Sequence, residues 1–317
     1  MEMEEASSSF NRLLLNAWIG MSRGVVGLPR VLHVFGYRDV AIEKTITFFT
    51  ADQRKITICP ELILTSSITH NTLILEIKSG KNTEADQLAR YSEVTTEVLG
   101  RSGFPLSALE TCSMVVNGDE KYTTSLQIGI DRGPYNFALI VKTPKGLRLV
   151  HNSLHVEDLN NHFTTGLFID WDTVPNSFIP IDAESALWEV ADIVLPHVLA
   201  LMTKRIPEIQ LRDLCARTCE ASWSVIGPKG QNDILLKVRK VLLAAATSEY
   251  KPFLQIQQNW NTVQIHNNPL EFGATSRSKI FQRFTSLQRR FVNRLRTGSE
   301  FKGEDPFTIQ EELPLDT

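Results

Sequence analysis

The most informative pattern of apolar and polar positions lies in residues 57–91. It reads T-I-C-P-E-L-I-L, then a polar spacer at 65–72, then L-I-L-E-I-K-S-G, then a segment containing Q-L-A-R-Y. Short runs rich in Ile and Leu, separated by turn chemistry, predict two buried strands followed by a helix. Successive side chains of a strand leave opposite faces. Leu73, Leu75 and Ile77 therefore share one face, and Ile74, Glu76 and Lys78 the other. Paired as a hairpin, the two runs bring Glu61 opposite Glu76. Two carboxylates and an ammonium at one sheet end require a divalent cation or an ion pair to be tolerated.

The same reading divides the rest of the chain. Ser7, Ser8 and Ser9 are expected to cap a helix over 10–21, whose apolar stripe is Leu13, Leu14, Ala17, Trp18 and Met21. Gly24, Gly27 and Pro29 end it. Strands are expected at 31–35 and 44–50, with a turn at 51–54 leading into a strand over 55–64. Thr83 followed by Asp86 has the form of a capping box. Gln87, Tyr91, Val94 and Val98 then keep a helical repeat up to a stop at Gly100. A further strand is expected at 111–117, and P-K-G at 144–146 joins a hairpin of 135–143 with 147–154. Periodicity alone leaves open whether that second β segment extends the first sheet or forms an insertion. From Asp182 the pattern turns helical, with helices expected over 182–202 (kinked at Pro196), over 207–222, and from a cap at Asn232. The last, over 277–296, carries an apolar stripe of Ile280, Phe284, Leu287, Phe291 and Leu295.

Pro60-Glu61 with Glu76-Ile77-Lys78 resembles the PD-(D/E)XK nuclease superfamily. Gln87 and Tyr91 lie four apart, hence on one helical face, and are similar to the Gln-x-x-x-Tyr element of RecB-type and lambda-type exonucleases. The resemblance covers roughly residues 40–117 and departs from the family at Glu61, where Asp is usual. The extra methylene carries the carboxylate about one carbon–carbon bond further out, a shift to which metal sites are sensitive. Glu43 is the nearest counterpart of the further acidic residue that some members supply, and an exposed strand-end glutamate is the plainer reading of it.

The resemblance implies an α/β fold: a restriction-endonuclease-like mixed sheet flanked by helices, followed by a mainly helical C-terminal region. A nuclease-like domain is expected over 1–170, a helical accessory domain ending in a basic amphipathic helix over 171–299, and an acidic, disordered tail over 300–317. It also implies a Mg²⁺-dependent (or Mn²⁺-dependent) phosphodiester hydrolase acting on nucleic acid, with DNA the expected substrate. Glu61, Glu76 and the carbonyl of Ile77 would hold the metal. Lys78 would orient water or stabilise developing charge, and Gln87 and Tyr91 would position the substrate strand or support the site. The alternative is a catalytically inactive nuclease-fold protein that binds nucleic acid or another protein.

Composition changes this picture in a few places. The 317 residues carry a formal net charge of only −3, so any nucleic-acid affinity has to come from local patches. The 277–296 helix is such a patch: Arg283, Arg289, Arg290 and Arg294 are the candidate phosphate contacts. Cys59, Cys112, Cys215 and Cys219 form no Cys-x-x-Cys pair, which points to a reducing cytoplasm. His151, His155 and His162 read as scattered surface residues rather than a zinc site. The first residues lack the basic stretch of a signal peptide, and no apolar run approaches the ~20 residues of a membrane span. A homo-oligomer, or a larger nuclease assembly such as a genome-defence system, is compatible with this reading.

Overall fold

The computed structural model describes residues 2–104, 110–183, 185–251, 253–256, 261–265 and 277–297, the side chains of 2–9 and 277–280 excepted. The acidic tail expected at 300–317 lies outside the described residues. The chain divides into two compact units: Met1–Ile179 with Ala221–Gln231, and Pro180–Glu220 with Asn232–Thr317. The passage from one to the other is thus not the single boundary expected at 170/171, because a later segment returns to the first unit. Among the described residues no helix is long and apolar enough to cross a membrane.

The first unit is α/β. Its elements are α1 (Glu2–Arg23), α2 (Val31–Val34), β1 (Tyr37–Ile42), β2 (Ile46–Phe49), β3 (Lys55–Ile58), β4 (Leu62–Ser66) and β5 (Asn71–Lys78). Then come α3 (Ala85–Ser92), α4 (Thr96–Arg101), β6 (Thr111–Asp119), α5 (Thr123–Asp131), β7 (Ala138–Thr143), β8 (Gly146–His151), α6 (Glu157–Thr165) and β9 (Leu167–Phe168). A seven-stranded mixed sheet runs in the order β1-β4-β5-β6-β7-β8-β9, and β2 and β3 form a separate hairpin. β5, β6 and β7 are parallel, joined by helical crossovers, and the outer pairs are antiparallel. The β7–β8 hairpin therefore extends the main sheet. Every residue of β5 up to Ile77 is buried, as a central strand covered on both faces must be.

Those faces are packed differently. On one side Ile63, Ile74, Val116 and Leu139 join Leu88 and Tyr91 of α3, Leu126 and Ile130 of α5, and the inward residues of the β2–β3 hairpin. On the other lies α1, whose Trp18 stacks on Phe163 of α6 at 5.3 Å. The Trp18 indole also donates to Asn117 Oδ1 over 2.6 Å.

Several local expectations are corrected. The run at 31–35 is helical, not extended: four apolar residues are too few to reveal a period, and Gly36 at φ +75° closes the turn. The strand expected over 55–64 is two, because Pro60 has no N–H for a ladder; β3 pairs with β2 and β4 with β1 and β5. α1 starts at Glu2 and runs through the serines expected to cap it. The helix after β5 splits into α3 and α4, with Thr95 accepting from the Val98 amide at the second start and Gly100 inside the helix. α3 receives no side-chain cap. Thr83 packs against Gly129 instead, where an added Cβ would fall 1.7 Å from its Oγ1.

The second unit holds α7 (Leu187–Thr203), β10 (Glu208–Gln210), α8 (Leu211–Thr218), most of α9 (Pro228–Ala246), β11 (Leu254–Ile256), β12 (Thr262–Ile265) and α10 (Arg277–Thr297). It is mainly helical with a three-stranded sheet ordered β10-β12-β11, which sequence reading missed because each strand has four residues or fewer. α9 begins at Pro228 rather than at a cap on Asn232, as the fixed φ of proline favours at a first helical position.

Candidate active site

The site forms where β5 ends. β5 is flanked by antiparallel β4 and parallel β6, and its carboxyl end leads into α3. Glu76 and Lys78 share the face covered by α3, as strand alternation requires. Three side chains meet there on a single carboxylate, that of Glu76. Lys78 Nζ donates to Glu76 Oε1 over 3.0 Å, and Gln87 Nε2 donates to the same oxygen over 2.6 Å. Tyr91 OH donates to Glu76 Oε2 over 2.8 Å. Lys78 also donates to Gln87 Oε1, which closes the ring. Gln87 and Tyr91 reach the same carboxylate because they stand one helical turn apart on α3. Burial and the Glu76 charge raise the Tyr91 phenol far above its usual range, so it remains a donor.

Glu61 comes from the break that Pro60 opens between β3 and β4. Leu62 pairs with Leu75, and the Glu61 amide continues that ladder by donating to the Leu75 carbonyl over 3.1 Å. The regular ladder ends at Leu62–Leu75, and just beyond it the Glu61 carboxyl lies near enough to Glu76 and Lys78 to feel the charge of both. Burial, then the charges of Glu76 and Glu43, push the Glu61 carboxyl up to about 8, against the pull of Lys78 and Lys229. Ile77 sends its side chain to the α1 face and contributes only backbone here.

Glu43 and Lys229 are the parts that sequence reading weighted too lightly or missed. Glu43 is half-buried, holds the left-handed φ of +48°, and donates its amide to the Glu61 carbonyl over 3.2 Å. Its placement depends on 221–231, the segment that returns to the first unit. Ile42 N–H donates to the Val225 carbonyl over 2.8 Å, and Gly227 N–H to the Ile42 carbonyl over 2.6 Å. This covers the outer edge of β1 and sets the first turn of α9 beside Glu43. The G-P-K-G string at 227–230 was visible in the sequence, but no local signal ties it to a strand end so far away.

A family model described as the MJECL32 domain matches residues 11–117. The matched span opens in α1 and ends at Asn117, the partner of Trp18, and it holds Glu43, Glu61, Glu76, Lys78, Gln87 and Tyr91. The description names no activity. No curated protein and no solved structure gave a significant match.

The oxygens expected to hold a metal, the carboxylates of Glu61 and Glu76 and the carbonyl of Ile77, are hard donors of the kind that suits Mg²⁺ or Mn²⁺. Among the described residues no group of three His, Cys, Asp or Glu side chains closes around one point. Burial first, and the charges of Glu76 and Glu43 after it, raise the Glu61 carboxyl, and a cation bound there would favour its charged form.

The remaining candidates lie elsewhere. His151 pairs with Asp131 over 2.8 Å at the end of β8, while His162 stands on α6 against Phe35. Cys215 and Cys219 are buried at α8. In the second unit, α10 buries Phe284, Leu287 and Phe291, the first and last around Tyr250 at 5.1 and 5.9 Å. Arg283, Arg289 and Arg290 are exposed. Arg294 is not on that surface in the same sense: it donates to Glu249 over 2.6 Å and is half-buried.

Proposed function

We propose that this protein is a metal-dependent nuclease that hydrolyses phosphodiester bonds, with DNA the expected substrate, and that its first unit is a variant of the restriction-endonuclease-like fold. The observation that carries the reading is the convergence of Lys78, Gln87 and Tyr91 on Glu76, with Glu61 close enough to feel the Glu76 charge. A purely structural strand-end ion pair needs one lysine; it does not need a glutamine and a tyrosine from the next helix aimed at the same two oxygens.

When bound, Mg²⁺ or Mn²⁺ would supply Lewis acidity toward the scissile phosphate and lower the pKa of an attacking water. Tyr91 and Gln87 fix the Glu76 carboxylate so that no rotamer freedom is lost when a ligand arrives. Lys78 is held at the same point by two acceptors and offers a positive charge where negative charge develops in phosphoryl transfer. Glu61 and Glu76 would hold that cation as carboxylates, the Glu61 proton passing to solvent. The exposed arginines of α10 add sequence-independent phosphate contacts.

The test is a digestion panel of linear, circular and single-stranded DNA and of RNA, with Mg²⁺, Mn²⁺ or chelator. Lys78→Ala should lower cleavage at least about 100-fold while leaving binding largely intact. Cleavage retained by that variant would overturn the assignment. One observation favours a second reading, a nucleic-acid-binding module without catalysis: both oxygens of Glu76 are already satisfied by protein donors. That reading expects DNA binding without calorimetric uptake of Mn²⁺ and without plasmid nicking.

A further inference from the structure

The segment 221–231 brings a second lysine to the rim of this site. The backbone bonds from 225–227 to Ile42 anchor it. Gly230 then lies so close to Glu43 that an added Cβ would stand 2.3 Å from Glu43 Oε2, and a Cβ at Gly227 would stand 2.3 Å from the Glu43 carbonyl oxygen. Glu43 in turn is bonded to Glu61 through the backbone. Lys229, between those two glycines, is therefore tied by an unbroken chain of contacts to the carboxylate cluster. Its side chain is exposed, and its charge is felt at both Glu61 and Cys59.

The other positive groups here are already engaged. The amino end of α9 favours an anion, and the Glu43 carboxylate lies against it. Lys78 is shared between Glu76 and Gln87. A lysine is a flexible point charge suited to a phosphate oxygen.

We infer that Lys229 is a substrate contact of this site, binding a non-bridging oxygen of a nucleic-acid phosphate beside the scissile bond. The inference rests on the nuclease reading above. A lysine that merely balanced the charge of Glu61 would act on metal affinity; one that grips phosphate acts on substrate affinity and its salt dependence.

The experiment uses the full chain with Lys229→Met and Lys229→Arg. Steady-state cleavage of a linear DNA duplex with Mn²⁺ is measured first. DNA binding against salt is then measured in the non-cleaving Lys78→Ala background, and Mn²⁺ affinity by calorimetry. Lys229→Met should raise KM about tenfold, equivalent to ~1.4 kcal/mol, with kcat within about twofold. It should also flatten the salt slope by about 0.9 and leave Mn²⁺ affinity unchanged. Lys229→Arg should restore most of the loss. Unchanged KM and salt slope, or a loss confined to kcat and Mn²⁺ affinity, would overturn the inference. If the wild-type chain binds DNA without cutting it, the nuclease reading fails alone, and the salt slope still decides Lys229. If it binds no DNA at any salt, both fail.

Discussion

The carboxylate cluster at the end of β5 and the arginine face of α10 are both charged sites, and they are built in opposite ways. The first gathers residues from the β3–β4 break, from β5, from α3 and from 221–231, and its members bond to one another. The second is a single helix whose arginines follow one another in sequence. The structure spends some of them: Arg294 on Glu249, and Arg296 over the Trp188 ring at 4.3 Å. Arg283, Arg289 and Arg290 stay on the exposed surface. A mutually bonded cluster should respond to substitution as a unit, whereas exposed arginines should act one at a time.

The largest effect expected is on stability against pH. Glu61 is held near 8 in the fold against an ordinary value of 4.5, so the fold prefers its protonated form. That contribution is complete below the ordinary value and is lost as pH rises through the folded one. Without divalent cation, thermal stability should therefore fall across this window by an amount on the order of a few kcal/mol. Mg²⁺ or Mn²⁺ should restore it increasingly as pH rises. Glu61→Gln should flatten the profile and abolish the response to cation. A wild-type melting temperature that is indifferent to Mn²⁺ at high pH would break the contrast at its acidic end.

A smaller effect tests whether the cluster is a unit. Tyr91→Phe removes one donor from a buried carboxylate and should cost about 1–3 kcal/mol. Combined with Gln87→Met, it should give a double-mutant cycle with a coupling of at least about 0.5 kcal/mol, read by chemical denaturation. Strict additivity would show that the two side chains serve Glu76 independently.

The smallest effects separate the arginines of α10. Arg294→Ala should lower stability by about 1 kcal/mol or less, because its ion pair is only half-buried, and should leave the salt slope of DNA binding alone. Arg289→Ala and Arg290→Ala should do the reverse, each reducing that slope by about 0.9, additively. Equal salt effects from all three would mean that the Glu249 pair opens in the complex.

Much of the site was legible because it is written in short periods. The two-residue repeat of β5 places Glu76 and Lys78 together, and the four-residue spacing of α3 places Gln87 with Tyr91. The β4–β5 hairpin brings the chain just before Leu62, and with it Glu61, to the end of β5. Where the signal was shorter than one period, reading failed. The run at 31–35 reads as extended and is helical over Val31–Val34, and the strands β10, β11 and β12 are too brief to show alternation.

What the sequence alone determined, then, is that Glu76 and Lys78 share one face of β5 and that Gln87 and Tyr91 share one face of α3, since strand alternation and the helical turn are the same in any fold. Tertiary structure alone decided that 225–227 returns to the edge of β1, that Gly227 and Gly230 make room for Glu43, and that Arg294 turns to Glu249. Those contacts join segments far apart in the chain. They follow from which faces remain to be buried once the local elements exist, and no local spacing encodes that.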